Sequence, residues 1–416
     1  MIRTGLAIFT LALTFMAPDH VSGQSVEAND SAFVCENGVC DTLCGDSILY
    51  DRIYAELDTL TLEQKAARMI IVGMRGTSLS DAVKRDIDLG AAGVILFEHN
   101  IYPAGKGVDS KERLSRLCAG LKEYAARPLI VAVDQEGGLV NRLKSKYGFP
   151  YMPSAAYLGR LDNADTTRYY GHVIAGAVAE AGFNVNFTPC VDLNVNPTCP
   201  VIGRFDRSFS ADAGVAVRNA SIIVEEHRKH GLATSLKHFP GHGSSEVDSH
   251  KGFTDITATW SGYELEPFRR MIDSGACDMM MVGHLYNSRI DSVYPATLSK
   301  AAIDGLLRGK LGFDGVVITD DMHMKAIADN YSLEESLRLT VEAGVDLIIL
   351  SSNIPGHTEP VLQQAIGAIC RLVRSGVIPE SRLDMSIARV RLLMERTAMA
   401  GQCTATAPIR RTGQAL

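Results

Sequence analysis

Eight short apolar runs recur along this chain, separated by segments of helical period, and that alternation narrows its possible folds more than any other feature. The runs are ARMIIVGM (67–74), AGVILFEH (92–99), PLIVAVD (128–134), FNVNFTPCVDL (183–193), ATSLKHF (233–239), DMMMVGH (278–284), GVVITDD (315–321) and DLIILSS (346–352). Most lack the apolar–polar alternation of a half-exposed strand, so they are predicted to be strands buried on both faces, as in a parallel sheet. Parallel neighbours need long crossovers, and the intervening segments supply them. Residues 210–231 have helical period, with Ser210 as N-cap and Gly231 as stop. Residues 332–344 repeat the plan, with Ser332 and Glu335 in capping-box spacing. Eight βα units predict an α/β fold, a single (β/α)8 TIM-type barrel with an N-terminal extension and a C-terminal helix. A doubly wound open sheet is the alternative.

The ends of the chain read differently. Residues 1–23 hold one Arg, then the unbroken apolar run GLAIFTLALTFM, then small residues before Gln24. That run is too short for a bilayer span and suits a signal peptide, which predicts a periplasmic or secreted protein. Residues 24–60 are expected to form a Cys-containing extension, 61–400 the barrel and 401–416 a disordered tail. In an oxidising compartment, a disulfide among Cys35, Cys40 and Cys44 is favoured over a metal site, and Cys190 and Cys199 bracket a loop they can bridge. Cys118, Cys277 and Cys370 lie in apolar helical patterns and read as core. A net charge of −7 without basic runs excludes a nucleic-acid footprint. A monomer without a membrane span is expected.

In such a barrel, catalytic groups stand at the C-terminal ends of the strands. The third run ends in Asp134, the fourth reaches Asp192 and Asn194, the fifth ends in Lys237 and His238, the sixth in His284 and the seventh in Asp320 and Asp321. One strand-end Asp is often just a helix N-cap. Five strands presenting charged or imidazole groups on one rim predict a functional pocket. Individual residues also have plainer readings. Asp321 reads equally as a catalyst or as an N-cap or supporting acid, Asp192 as a pin between loops and His242 as a loop former. His284 divides evenly between lining the pocket and bonding a backbone carbonyl. Met322 and Met324 read as pocket wall or core, His323 as solvent-facing, and Asp206 and Asp329 as surface charges. The sequon at Asn186 falls in a predicted strand, where no glycan fits.

The motifs DQEGG (134–138) with Arg142, NVNFTPCVDLNVNP (184–197), IGRFDRSFS (202–210), KHFPGHG (237–243) followed by DSH (248–250), and ITDDMHM (318–324) occur in one order. Together they resemble family-3 glycoside hydrolases, in the branch of bacterial β-N-acetylhexosaminidases. The resemblance implies that Asp320 is a nucleophile and His250 a general acid/base held by Asp248. It implies that Asp134, Arg142, Arg207, Lys237 and His238 grip a terminal N-acetylglucosamine, and that neither metal nor cofactor takes part.

The chemistry is coherent with those residue types. Retaining glycoside hydrolysis needs a nucleophile at the anomeric carbon and an acid at the leaving oxygen. An imidazole, with an ordinary pKa near 6.5, has a proton to give near neutrality. Asp248, two residues before His250, can fix its tautomer. Gly241, Gly243, Ser244 and Ser245 predict a flexible arm that carries His250 over the sugar. A zinc site is the rival reading of three nearby histidines, but His238, His242 and His250 lack HExxH or other short ligand spacing, and Lys237 repels a cation. Substrate-assisted hydrolysis through adjacent Asp-Glu is disfavoured, since the chain has no such dipeptide. The remaining alternatives are a phosphorolytic N-acetylglucosaminidase or β-glucosidase of the same family, and a non-catalytic sugar-binding barrel. The implied substrates are peptidoglycan fragments or chitin oligosaccharides.

Overall fold

The computed structural model describes residues 42–102, 110–351 and 361–406. The predicted signal peptide and the disulfide among Cys35, Cys40 and Cys44 lie outside what is described. The chain divides into two compact units, Met1–Asp46 and Ser47–Leu416, and the architecture below belongs to the second.

Among the described residues ten strands follow in chain order: β1 (Ile70–Gly73), β2 (Gly93–Leu96), β3 (Ile130–Val133), β4 (Val185–Asn186), β5 (Ala233–Phe239), β6 (Thr254–Asp255), β7 (Met279–Val282), β8 (Leu285–Tyr286), β9 (Val316–Asp321) and β10 (Leu347–Leu350). Eight of them close a parallel barrel in the order β1-β2-β3-β4-β5-β7-β9-β10, and β6 pairs with β8 as a separate two-stranded sheet. The (β/α)8 prediction holds, and the open-sheet alternative does not.

Strand side chains alternate between two buried layers, as the two-residue period requires. Ile71, Ile95, Ala132, Val185, Met281 and Ile318 fill the barrel. Ile70, Val72, Val94, Val131, Met280 and Val317 face outward, into the cluster shared with helix residues such as Leu117 and Ala216. Val390, from the C-terminal helix Glu380–Thr406, packs with the barrel-filling cluster. This helix runs past the expected boundary at residue 400. Leu49, Ile53 and Leu57 of the helix Thr42–Leu57 pack on its Ile387, Ala388 and Leu392.

Local departures have local causes. The fourth run was expected to be strand throughout 183–193, but regular pairing stops after Asn186 and resumes only as a bridge from Cys190 to Lys237. Pro189 has no N–H for a ladder bond. The helix expected from Ser210 starts at Ala213, because Asp212 rather than Ser210 accepts the Val215 N–H. Ser332 does cap its helix, accepting from Glu335 N. Cys190 and Cys199 are both buried and free, so the suggested bridge is absent, while Cys118 and Cys370 are buried as read. Among the described residues no helix is long and apolar enough to cross a membrane.

Candidate active site

The loop after β3 carries Asp134, Gln135 and Glu136 to the rim. Gln135 is buried and organises this loop from within. Its Oε1 accepts from the backbone N–H groups of Arg142 and Leu143, and its Nε2 donates to Asn141 Oδ1. Asn186 on β4 exchanges hydrogen bonds with the Gln135 backbone, which locks the loop to the neighbouring strand. Arg142 is thereby held through its backbone, and its Nε is buried with no hydrogen-bond partner among the described residues.

Four charged groups then meet. Glu136 accepts from Arg207 Nε at 3.0 Å and Nη2 at 2.8 Å, and pairs with Lys237 Nζ at 2.7 Å. Lys237 Nζ also reaches Asp134 Oδ1 at 2.8 Å. The Glu136 side chain is 5 % exposed and that of Lys237 2 %. Buried charges persist only when paired, and here two anions match two cations. Burial alone raises a carboxyl, yet Arg207 and Lys237 hold Glu136 well below the ordinary carboxylate range. Burial opposes the charged forms of Arg207 and Lys237 as well, and their carboxylate partners raise both. Glu136 escaped selection in the sequence, although it stands two residues from Asp134 in the same motif.

His238 joins this network to a second one. Its Nε2 lies 3.2 Å from Arg207 Nη2, which can only donate, and its Nδ1 lies 2.7 Å from Asp192 Oδ2, which can only accept. The partners therefore place the hydrogen on Nδ1 and the lone pair on Nε2. Asp192 is fully buried and also accepts from the backbone N–H groups of His238 and His242. Burial pushes this carboxyl up, but His238 and His242 hold it down at about 2. Its reading as a pin between loops is borne out.

Asp320 stands near the end of β9. The Asp321 backbone donates to its Oδ1 at 2.8 Å. Burial raises the Asp320 carboxyl, but His284, His238, His250 and that N–H together hold it well below the usual range. It is thus ionised near neutrality. His284 bonds Thr297 Oγ1 and the Asp321 carbonyl, so its backbone-bonding reading holds. Asp321 is a support: it accepts from His323 N and Ser351 N, joining β9 to the segment after β10. His323 was expected to face solvent. It is instead buried, with Nδ1 against the Ser351 carbonyl. Met322 and Met324 are core, and Asp206 and Asp329 are exposed as read.

The segment 240–253 carries the Asp248–His250 pair. Asp248 Oδ1 accepts from both the backbone N and Nδ1 of His250, each at 2.9 Å, which leaves Nε2 free to face outward. The His250 side chain is 61 % exposed. The root of the segment is less free than its glycines suggest. A Cβ on Gly243 would lie 1.7 Å from the Leu193 carbonyl oxygen, so glycine is there for close packing. His242 Nδ1 meets Ser245 Oγ at 2.5 Å and its Nε2 meets Ser249 Oγ at 3.1 Å. Glu264, fully buried beneath, accepts from Ser244 N at 3.1 Å. Burial pushes its carboxyl up to about 7. Ser244, Ser245 and Ser249 are all buried, and exposure is confined to Glu246, Val247 and residues from His250 onward.

One group of potential metal ligands occurs among the described residues: Cys190, Asp192 and His238. Their protons already account for the cluster, since Cys190 Sγ and His238 Nδ1 both donate to Asp192 Oδ2. A cation would have to displace both protons.

Comparison with known proteins agrees with this geometry. Residues 61–393 match the family described as Glycosyl hydrolase family 3 N terminal domain. A β-hexosaminidase of Tolumonas auensis is 32 % identical over 294 residues, covering 69 % of this chain and 84 % of the relative. β-Hexosaminidase LpqI of Mycobacterium tuberculosis is 32 % identical over 341 residues, covering 80 % of this chain and 82 % of the relative. Among solved structures, a glycoside hydrolase family 3 β-N-acetylglucosaminidase from Paenibacillus sp. superposes with a TM-score of 0.74 at 35 % identity. That match covers 82 % of this chain and 63 % of the Paenibacillus chain. With the family match spanning the whole barrel and every motif seated at its rim, this chain belongs to glycosyl hydrolase family 3 and is a glycoside hydrolase.

Proposed function

We propose that the chain is a retaining exo-β-N-acetylhexosaminidase that removes terminal β-linked N-acetylglucosamine from peptidoglycan fragments or chitin oligosaccharides. The carrying observation is an ionised Asp320 on the barrel rim within electrostatic reach of the Asp248–His250 pair. The names of the relatives supply the sugar.

Asp320 attacks the anomeric carbon and forms a glycosyl ester as the glycosidic C–O bond breaks. His250 gives the Nε2 proton to the departing oxygen, with Asp248 holding Nδ1–H. The imidazole then takes a proton from water, whose oxygen attacks the same carbon and frees the Asp320 carboxylate. Asp134, Arg142, Arg207, Lys237 and His238 bind the sugar. The buried, unpartnered Arg142 Nε is suited to a hydroxyl or carbonyl acceptor. Predicted export would bring the enzyme to wall fragments or chitin products outside the cytoplasm.

The test is hydrolysis of an aryl N-acetyl-β-glucosaminide by the wild type and by Asp320→Ala, with mass spectrometry after a slow fluorinated sugar. The expected result is loss of roughly 10⁴-fold or more in kcat, and one sugar mass on the Asp320 peptide. A label on another carboxylate, or unimpaired Asp320→Ala, would overturn the assignment. Sugar 1-phosphate appearing when phosphate is added would favour phosphorolysis instead.

A further inference from the structure

We propose that Phe253 and Tyr286 form a preassembled subsite for the pyranose ring of the leaving sugar. The inference rests on the acid/base reading of His250 and extends it to the other side of the scissile bond.

A general acid must touch the glycosidic oxygen, so the leaving ring lies within one sugar length of His250. Phe253 is three residues further on, at most about 11 Å along the chain. Its side chain is half exposed, and its ring centroid lies 5.2 Å from that of Tyr286, tilted by 42°. The pair is fixed from below. β6 begins at Thr254 and pairs with β8, which ends at Tyr286. Ile256 N donates to the Tyr286 carbonyl, and the Tyr286 hydroxyl donates to the Ser292 carbonyl. β8 itself starts directly after His284, whose imidazole bonds the Asp321 carbonyl beside the nucleophile. One wall therefore joins the acid segment to the strand end next to Asp320.

The two rings are not needed to hold this small sheet together. Its own buried cluster is Ile256, Trp260 and Leu285, and neither Phe253 nor Tyr286 belongs to it. Single exposed apolar residues are ordinary. Two aromatic rings locked side by side next to an acid/base are suited to the apolar C–H face of a sugar, which stacks on an aromatic surface while its hydroxyls stay in water. The occupant is thus a leaving group with a ring, not a small alcohol.

The experiment compares two substrates with alkoxide leaving groups, di-N-acetylchitobiose and methyl N-acetyl-β-glucosaminide, in the full-length wild type, Phe253→Ala and Phe253→Trp. Phe253→Ala is expected to lower kcat/KM for chitobiose by about tenfold more than for the methyl glycoside, the size of one aromatic contact, and Phe253→Trp to restore the wild-type ratio. Equal losses on both substrates, an unchanged ratio, or no rescue by Trp would overturn the subsite. A folded wild type inactive on both substrates, and on the aryl glycoside, would instead remove the hydrolase reading and the subsite with it.

Discussion

Glu136 neutralises two cations that arrive from different elements, Arg207 from the loop after β4 and Lys237 from β5. Glu136→Gln would leave Lys237 with Asp134 alone and take from Arg207 the carboxylate it pairs with, under nearly complete burial. Removing one partner of such a pair costs about 3–5 kcal/mol, so a clear fall in the denaturation midpoint is expected. An unchanged midpoint would mean that water reaches the network. The residue was missed because the sequence shows charges in a line. That two basic residues some seventy and a hundred positions away converge on one carboxylate is decided by barrel closure. His323 failed for a similar reason: its neighbours in sequence are Met322 and Met324, but the Ser351 carbonyl that buries it comes from the adjacent strand end. The strand-end position of Asp320 and the contact between Asp248 and His250 follow from strand order and a two-residue spacing, without tertiary information, whereas the catalytic roles proposed for them come from the family resemblance.

At the scale of the element, the segment 240–253 is an anchored loop with an exposed tip. Its root rests on Glu264, a carboxyl raised by burial to about 7 from an ordinary 4.5. The surrounding groups are Ser244 N, Ser261 N and the more distant Asp192 charge. The folded state binds this proton more tightly than the unfolded chain, so stability from this group falls as pH rises from about 4.5 through 7. Glu264→Gln stays neutral throughout. Its thermal stability relative to the wild type is therefore expected to improve between pH 5 and pH 8, by up to the order of 3 kcal/mol. A difference that is flat with pH would show that Glu264 titrates normally. Gly and Ser predicted mobility here from propensity alone. Packing of Gly243 on Leu193, and three buried serines, fix the root, which propensity alone does not show. The same limit explains β4, where Pro189 ends a run that hydrophobicity alone extended to Leu193.

At the scale of the molecule, the barrel separates a reactive rim from a structural base. The C-terminal helix crosses the base, where Ile387, Val390 and Met394 line a cavity of about 280 Å³ with Leu129 and Ile130. The helix Thr42–Leu57 packs on its outer side through Ile53, which is 1 % exposed. Ile53→Ala is expected to destabilise by about 2–4 kcal/mol while leaving kcat on an aryl glycoside within twofold of wild type. A comparable loss of kcat would show that the base and rim are coupled. The eightfold alternation made this architecture readable, since each strand run and each helix carries its own period. The docking of the terminal helix was not readable, because one amphipathic face does not name its partner.

The two nitrogens of His242 hold Ser245 and Ser249 at once, which closes residues 246–248 into a small noose tied at its neck. Substitutions at the exposed Glu246 and Val247 can reshape the outer edge of the noose without touching the two hydrogen bonds that tie it. Variation in the shape of this tip would then be concentrated in those two positions, while the knot itself stays fixed.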